Sequence, residues 1–254
     1  MIQYNPREYI EQFHLLFLDQ LGRKLDKRNY ALKGGCNLRF YFKSFRYSED
    51  MDLDVRTVTR DKLRDTVNAI LSSKPFAQIL AVRGMRIERW SEPKQTETTQ
   101  QWKLGLAAST TDMLLNTKFE FSLMGMRGNT LFEPIDPALI RHYQLAPILA
   151  NHYDAHMAYE HKVEALITRK TTQARDIFDL YLLLNSGVEH TISDQKLKKR
   201  LHEAQSNAMS ITFDIFKSQV LSYLHPDYQG QYDSEMVWED MLLRVTEALN
   251  EAGK

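Results

Sequence analysis

The sequence predicts an α+β protein: a small mixed β-sheet with flanking helices, followed by a mostly α-helical half. Three observations carry this. Strand-like runs, short and apolar or alternating, are confined to roughly the first 135 residues. Glu133-Pro134-Ile135-Asp136-Pro137 then interrupts regular structure with two closely spaced prolines. Beyond it the pattern is helical, over about 137–146, 154–170, 173–185, 193–205, 210–225 and 234–251. Domains of 1–135 and 136–254 follow from that break, in a chain of 254 residues able to bury a sizeable core.

Taken in order, residues 5–25 read as a helix. Asn5 suits the N-cap, Pro6 the first helical position, and Glu8 the acid of a capping box. Ile10, Phe13, Phe17 and Leu21 form its apolar stripe. Tyr30-Ala31-Leu32 is a short strand, Gly34-Gly35 a turn, and Asn37 to Phe42 a short helix. Thr59 or Asp61 caps a further helix that buries Leu63, Val67, Ile70 and Leu71 and ends before Pro75. Ile79 to Trp90 turns strand-like, and its Arg83, Arg86 and Arg89 read first as a charged strand edge and second as a path for RNA or triphosphate. The polar stretch 91–101 is a loop or hairpin connection, and Trp102–Ala107 and Thr117–Leu123 are strands. In the second of these, alternation puts Lys118 and Glu120 on one face. In the helical half Gly187 is a C-cap glycine and Pro226 ends the helix ahead of it.

Composition sets bounds. Lys plus Arg equals Asp plus Glu at 33 each, so a nucleic-acid surface must be a local basic patch. No apolar run approaches the ~20 residues of a membrane helix, and the N-terminus opens polar. The lone Cys36 excludes an internal disulfide, and a reducing cytoplasm is the expected location. His152 and His156 have a helical spacing that can hold zinc, but no further ligand accompanies them. Lys196, Lys198, Lys199 and Arg200 read as a solvated helix face before an RNA contact.

The chemistry concentrates between Leu32 and Val55, LKGGCNLRFYFKSFRYSEDMDLDV. On a strand, Asp50, Asp52 and Asp54 stand in one row with Met51, Leu53 and Val55 packed behind. Three like charges in a row repel one another, and a divalent cation with oxygen ligands, usually Mg²⁺ holding substrate phosphates as well, offsets that cost. Gly34-Gly35 supplies bare backbone at a helix start, where N–H groups approach a phosphate. Together these point to nucleotide handling.

The glycine pair, spacer and Asp-x-Asp strand resemble the polymerase-beta-like nucleotidyltransferase superfamily. LKGGCNLR with FRYSEDMDLDV is similar to one branch, the AbiEii-like toxins of abortive-infection, or type IV, toxin–antitoxin systems. A second block strengthens the likeness: Lys162 on a helix, followed by Ala174-Arg175-Asp176-Ile177-Phe178-Asp179-Leu180, resembles the family's later Lys and Arg-Asp-h-h-Asp-Leu motifs. The resemblance implies catalytic Asp50, Asp52, Glu120, Lys162 and Asp176, with Asp50, Asp52 and Glu120 as the metal set. It implies nucleotide binding by Gly34, Gly35, Ser48, Lys162 and Arg175, and a site in the cleft between the two domains. Asp54 has a supporting role, and Asp179 either bonds Arg175 or supports the site. Cys36 stands where the family usually carries a small hydroxyl residue; a cysteine nucleophile would need a paired histidine, and none is recognisable.

The implied reaction is transfer of an NMP from an NTP to an acceptor hydroxyl with two Mg²⁺ ions, Mn²⁺ being a substitute. The implied acceptor is an RNA, a tRNA 3′ end, opposed by a separately encoded antitoxin. The alternatives are transfer to a protein hydroxyl, a non-catalytic nucleotide- or RNA-binding module, and phosphotransfer from the γ-phosphate.

Overall fold

The computed structural model describes residues 4–253 and is α+β, in two compact units. One takes the chain up to Tyr41 together with Tyr47–Tyr153, and the other Phe42–Arg46 with the chain from Asp154 onward. The first unit contains α1 (Pro6–Lys24), β1 (Tyr30–Lys33), α2 (Gly34–Tyr41), β2 (Asp50–Val55), α3 (Arg60–Leu71), α4 (Lys74–Val82), β3 (Met85–Gln95), β4 (Thr99–Ala108), β5 (Thr111–Ser122), β6 (Thr130–Pro134), α5 (Pro137–His142) and β7 (Leu149–Tyr153). The strands make one seven-stranded sheet in the order β3-β4-β5-β2-β1-β7-β6. It is mixed: β2 runs parallel to β5 and β1 parallel to β7, and the other neighbours are antiparallel.

The start of α1 follows from its first residues. Asn5 Oδ1 accepts from the N–H groups of Arg7 and Glu8, and the Glu8 carboxylate accepts from the Asn5 N–H at 2.8 Å, closing the capping box. Ile10, Phe13, Phe17 and Leu21 are buried, as their spacing predicts. Phe17 stacks on Phe119 of β5 with ring centroids 4.0 Å apart, so α1 lies over the apolar face of the sheet centre. Glu11, also buried, accepts both Arg39 Nε (2.6 Å) and Nη2 (3.0 Å) from α2, and the Tyr143 hydroxyl at 2.7 Å. A buried carboxylate needs such partners, and these fix α2 against α1.

Three readings of the sequence give way. Residues 79–82 belong to a helix, because Pro75 sits in the first turn of α4, where Ser73 Oγ caps the Phe76 N–H; this proline starts a helix. Part of the polar stretch 91–101 is strand: β3 runs on to Gln95 and β4 begins at Thr99. Strands also do not stop at Pro134. β7 pairs on both sides, with β1 and β6, and its Ala150 to Tyr153 are all buried, which removes the polar–apolar alternation that would reveal it.

The second unit is built from α6 (Ala155–Thr168), α7 (Ala174–Asn185), α8 (Gln195–Lys198), α9 (Leu201–Met209), α10 (Phe213–Gln219), α11 (Pro226–Tyr232) and α12 (Glu235–Ala252). Pro226 opens α11. Gly187 adopts the left-handed conformation expected after a helix, with φ +84°. The detached segment Phe42–Arg46 joins this core. Phe45 stacks on Tyr228 at 4.1 Å and meets Phe178 edge-on, and Arg46 bridges to Leu224. Phe216 stacks on Trp238 at 4.8 Å. Among the described residues no helix is long and apolar enough to cross a membrane.

The Phe17–Phe119 stack carries the first prediction. Phe17→Ala removes a fully buried ring and should cost about 3–5 kcal/mol, read as a lowered urea midpoint at unchanged slope.

Candidate active site

The central strand β2 alternates as its sequence dictates. Met51, Leu53 and Val55 are buried against the helices, and Asp50, Asp52 and Asp54 share the other face. The parallel register with β5 sets Asp50 opposite Lys118 and Asp52 opposite Glu120. The antiparallel register with β1 sets Lys33 opposite Asp52. Residues paired across neighbouring strands share a face, so four carboxylates and two lysines cluster here.

Their contacts differ. Lys118 Nζ lies 3.2 Å from Asp50 Oδ2 and 3.5 Å from Glu120 Oε2, and Gln101 Nε2 donates to the same Glu120 oxygen at 2.9 Å. Asp54 is buried and tied down: Lys33 Nζ donates to it at 2.5 Å and the Tyr153 hydroxyl at 2.7 Å. Asp52 enters no ion pair among the described residues and lies against the glycine turn. Gly34 has φ +65°, and a Cβ there would stand 3.0 Å from Asp52 Oδ2. Only glycine adopts this conformation readily, and only a bare Cα lets the turn approach the carboxylate this closely. Ser48 Oγ donates to the Asp50 carbonyl at 2.8 Å, fixing the start of the strand.

The electrostatics follow from this packing. Burial raises the Asp52 carboxyl above the usual range, aided by Asp50 and Glu120, while Lys118 and Lys33 pull the other way. Burial acts on Glu120 in the same sense, but the Gln101 hydrogen bond and Lys118 outweigh it and hold Glu120 low. Burial would lower the Lys118 ammonium, yet Asp50, Asp52 and Glu120 hold it above its ordinary value. Four carboxylates against two ammonium groups leave two negative charges without a partner in the cluster. Hard oxygen donors with that residual charge fit a divalent cation such as Mg²⁺. Among the described residues no group of three His, Cys, Asp or Glu side chains is drawn together to hold a metal ion. The expected set Asp50, Asp52 and Glu120 shares a face and a register, with the Lys118 ammonium bridging its outer members.

Behind the cluster lies a buried histidine with no signal in the sequence. His14 Nε2 is 2.7 Å from Thr117 Oγ1, which itself donates to the Glu49 carbonyl, and His14 Nδ1 is 3.6 Å from Cys36 Sγ. Because the Thr117 proton is committed, His14 donates from Nε2, which leaves Nδ1 unprotonated beside Cys36 Sγ, whose own S–H goes to the Asp50 carbonyl. Cys36 thus has a histidine neighbour that the sequence did not reveal. The pair is not an activated dyad: burial lowers His14 to about 3, keeping it neutral, and pushes the Cys36 thiol up. Its place is structural, under the backbone that carries Asp50.

Lys162 and Asp176 meet inside the second unit. Lys162 is 6% exposed and donates to Asp176 Oδ1 at 3.0 Å and to Asp179 Oδ2 at 2.7 Å. Arg169 Nε reaches Asp176 Oδ2 at 2.7 Å. Asp179 does not bond Arg175; it receives Arg46 instead, through Nε at 3.0 Å and Nη2 at 2.9 Å. That fork ties the Phe42–Arg46 segment to α7, a pairing across 133 residues that helix spacing could not show. Arg175 is half-buried and enters no ion pair among the described residues. His152 lies on β7 and His156 in α6, so they do not form the helical pair their spacing suggested. Lys118, Lys33 and Tyr153 are additions to the expected site; alternation before Glu120 was the only signal for any of them, marking Lys118.

The first unit is thus a mixed sheet whose central strand presents paired carboxylates beside a tight glycine turn. The comparisons specify the class. The family model described as "Nucleotidyl transferase AbiEii toxin, Type IV TA system" matches residues 16–241, and the chain belongs to that family. The crystal structure of JHP933 from Helicobacter pylori is similar, with a TM-score of 0.60 at 16% identity, covering 99% of this chain and 96% of that one. A second H. pylori structure, described as a candidate nucleotidyltransferase, has a TM-score of 0.57 at 16% identity, covering 94% and 95%. At that identity both speak to the fold. No curated protein matches the chain.

Each of the two clusters can be tested by substitution. Gly34→Ala forces a side chain into the left-handed region and toward Asp52 Oδ2, and should cost about 1–2 kcal/mol in a denaturant titration. Asp179→Asn breaks a buried fork and should cost about 3–5 kcal/mol at neutral pH. For wild-type Asp179, burial raises the carboxyl but Arg46 and Lys162 outweigh it, taking it from 3.8 to about 2. Its folded value lies below its unfolded one, so its stabilisation is complete above pH ~4 and fades as pH falls toward ~2. Unfolding free energies measured across that window should fall more steeply for the wild type than for Asp179→Asn.

Proposed function

We propose that this chain is a Mg²⁺-dependent nucleotidyltransferase that moves an NMP from an NTP to the hydroxyl of an RNA acceptor, a tRNA 3′ end in the first instance. The observation that carries this is the β2–β5 register, which aligns Asp50, Asp52 and Glu120 on one face beside Gly34. Asp50 and Asp52 would hold the divalent ion, with Glu120 next to them on β5. When bound, the ion neutralises phosphate charge and polarises the reacting oxygens.

The chain's own residues do the rest. The turn at Gly34 and Gly35 opens α2, and its backbone N–H groups offer a cradle for the triphosphate. Ser48, Cys36 and Thr117 pin the backbone at Asp50 and Glu49, so the carboxylates are held before substrate arrives. Lys118 offsets carboxylate repulsion in the free protein and is placed to meet a phosphate oxygen once the carboxylates bind the ion. The acceptor oxygen forms a bond to the α-phosphorus as the bond to the β,γ-pyrophosphate breaks. The contribution of the protein is positioning and charge.

Lys162 and Asp176 first satisfy each other within the helical unit, so Lys162 reaches a triphosphate only by exchanging a carboxylate partner. The family description also supports a role as the toxin of a toxin–antitoxin pair, with an antitoxin encoded separately.

The test incubates the protein with Mg²⁺, each α-labelled NTP in turn and total RNA. Label on tRNA-sized RNA is expected, and Asp52→Asn should reduce it to background while far-ultraviolet circular dichroism stays unchanged. Full transfer by that variant would overturn the assignment. Label on protein alone would move the acceptor to a protein hydroxyl.

A further inference from the structure

The face that carries the carboxylates continues beyond them across two more strands. Gln101 of β4 pairs with Glu120, and Lys103 with Lys118. On β3, Lys94 pairs with Gln101, Ser91 with Lys103 and Arg89 with Gly105. Directly paired residues share a face, so Lys103, Lys94 and Arg89 stand on the same side as Asp50 and Asp52. The opposite side of β4 is unambiguous: Trp102, Leu104 and Leu106 are buried there.

These three cations are unlike the other basic residues nearby. Arg83 is spent on the carbonyls of Tyr143 and Gln144, and Arg86 pairs with Glu88 at 2.7 Å. Arg64 reaches Glu92. Lys103, Lys94 and Arg89 are exposed, and none enters an ion pair among the described residues. Lys94 also acts on the Glu120 carboxyl, which puts its charge within reach of the acidic cluster. Charge on an edge strand commonly serves to block edge pairing. That explanation covers β3, but Lys103 lies on β4, which is hydrogen-bonded on both sides. Gly105 adds a detail: a Cβ there would come 3.2 Å from Arg89 Cγ, so bare backbone lets the arginine stem lie across β4.

We propose that Lys103, Lys94 and Arg89 seat successive phosphates of a single-stranded nucleic-acid acceptor, leading its reactive end toward Asp50 and Asp52. Strands lie about 4.8 Å apart, so the three cations spread over neighbouring strands meet a repeating anion better than a single one. The chain carries no net charge to attract a polyanion from a distance, and a local row of this kind is what nucleic-acid binding then requires. Lysine and arginine contacts to phosphate position a strand without reading its sequence. This placement rests on the nucleotidyl-transfer reading and assigns the acceptor path for that same site.

The experiment measures fluorescence anisotropy of a labelled single-stranded RNA with the full chain and with the triple variant Arg89→Glu, Lys94→Glu, Lys103→Glu. Affinity should fall at least tenfold, and the slope of log K against log salt should become shallower by about 2, from three phosphate contacts at ~0.7 each. Binding of the NTP should be unchanged. The neutral triple variant with Gln at each position serves if the charge-reversed one does not fold. Equal affinity and equal slope in wild type and variant overturn the proposal. So does poly-glutamate binding as tightly as RNA and lost in the same variant, which would make this an acidic-protein surface. The two readings separate cleanly: equal label transfer by both proteins discards the surface and keeps the enzyme. RNA binding lost in the variant, with no transfer by wild type, keeps the surface and discards the enzyme.

Discussion

The parallel pairing of β2 with β5 is the constraint on which the first unit depends. It places Asp50 opposite Lys118 and Asp52 opposite Glu120, and on the other face it places Met51 and Leu53 beside Phe119 and Phe121. A slip of β5 by one residue would exchange its faces, burying Lys118 and Glu120 and exposing the ring that Phe17 stacks upon. The apolar side therefore fixes the register, and the register fixes the site. Packing energy collected behind the sheet holds an arrangement of carboxylates that by itself is repulsive.

That repulsion is met unevenly. Asp54 is fully engaged by Lys33 and Tyr153, which makes it part of the wall. Asp50 and Glu120 share Lys118, while Asp52, with its carboxyl raised by burial, faces the glycine turn. A carboxylate cluster left with residual charge stores electrostatic cost in the protein as it stands. The buried His14, Thr117 and Cys36 set beneath braces the strand, with Thr117 donating to the Glu49 carbonyl and Cys36 to that of Asp50.

The helical unit shows a different use of charge. Lys162, Arg46 and Arg169 surround Asp176 and Asp179, both fully buried. Breaking such a network leaves a bare charge in a poor solvent, so it specifies one packing of α6, α7 and the Phe42–Arg46 segment. The motif that the sequence offers as functional is thus also the electrostatic core of its unit.

Much of this was legible in the sequence. The α1 capping box, the alternation of β2, the glycine turn that opens α2 and the helical second half all follow from local rules: side-chain reach at i+3, period-two faces and the steric freedom of glycine. Glu120 could be placed on the right strand face because alternation is local too. What tertiary structure alone decided is everything joined over long separations. His14 beneath Cys36, Tyr153 on Asp54, Arg46 on Asp179 and the cation row on β3 and β4 depend on strand order and helix packing. β7 and the start of α4 were hidden for a related reason: a strand buried on both faces shows no alternation, and a proline reads as a stop or a start according to the cap before it. Local chemistry wrote the elements, and the apolar packing that set their register chose which charges would meet.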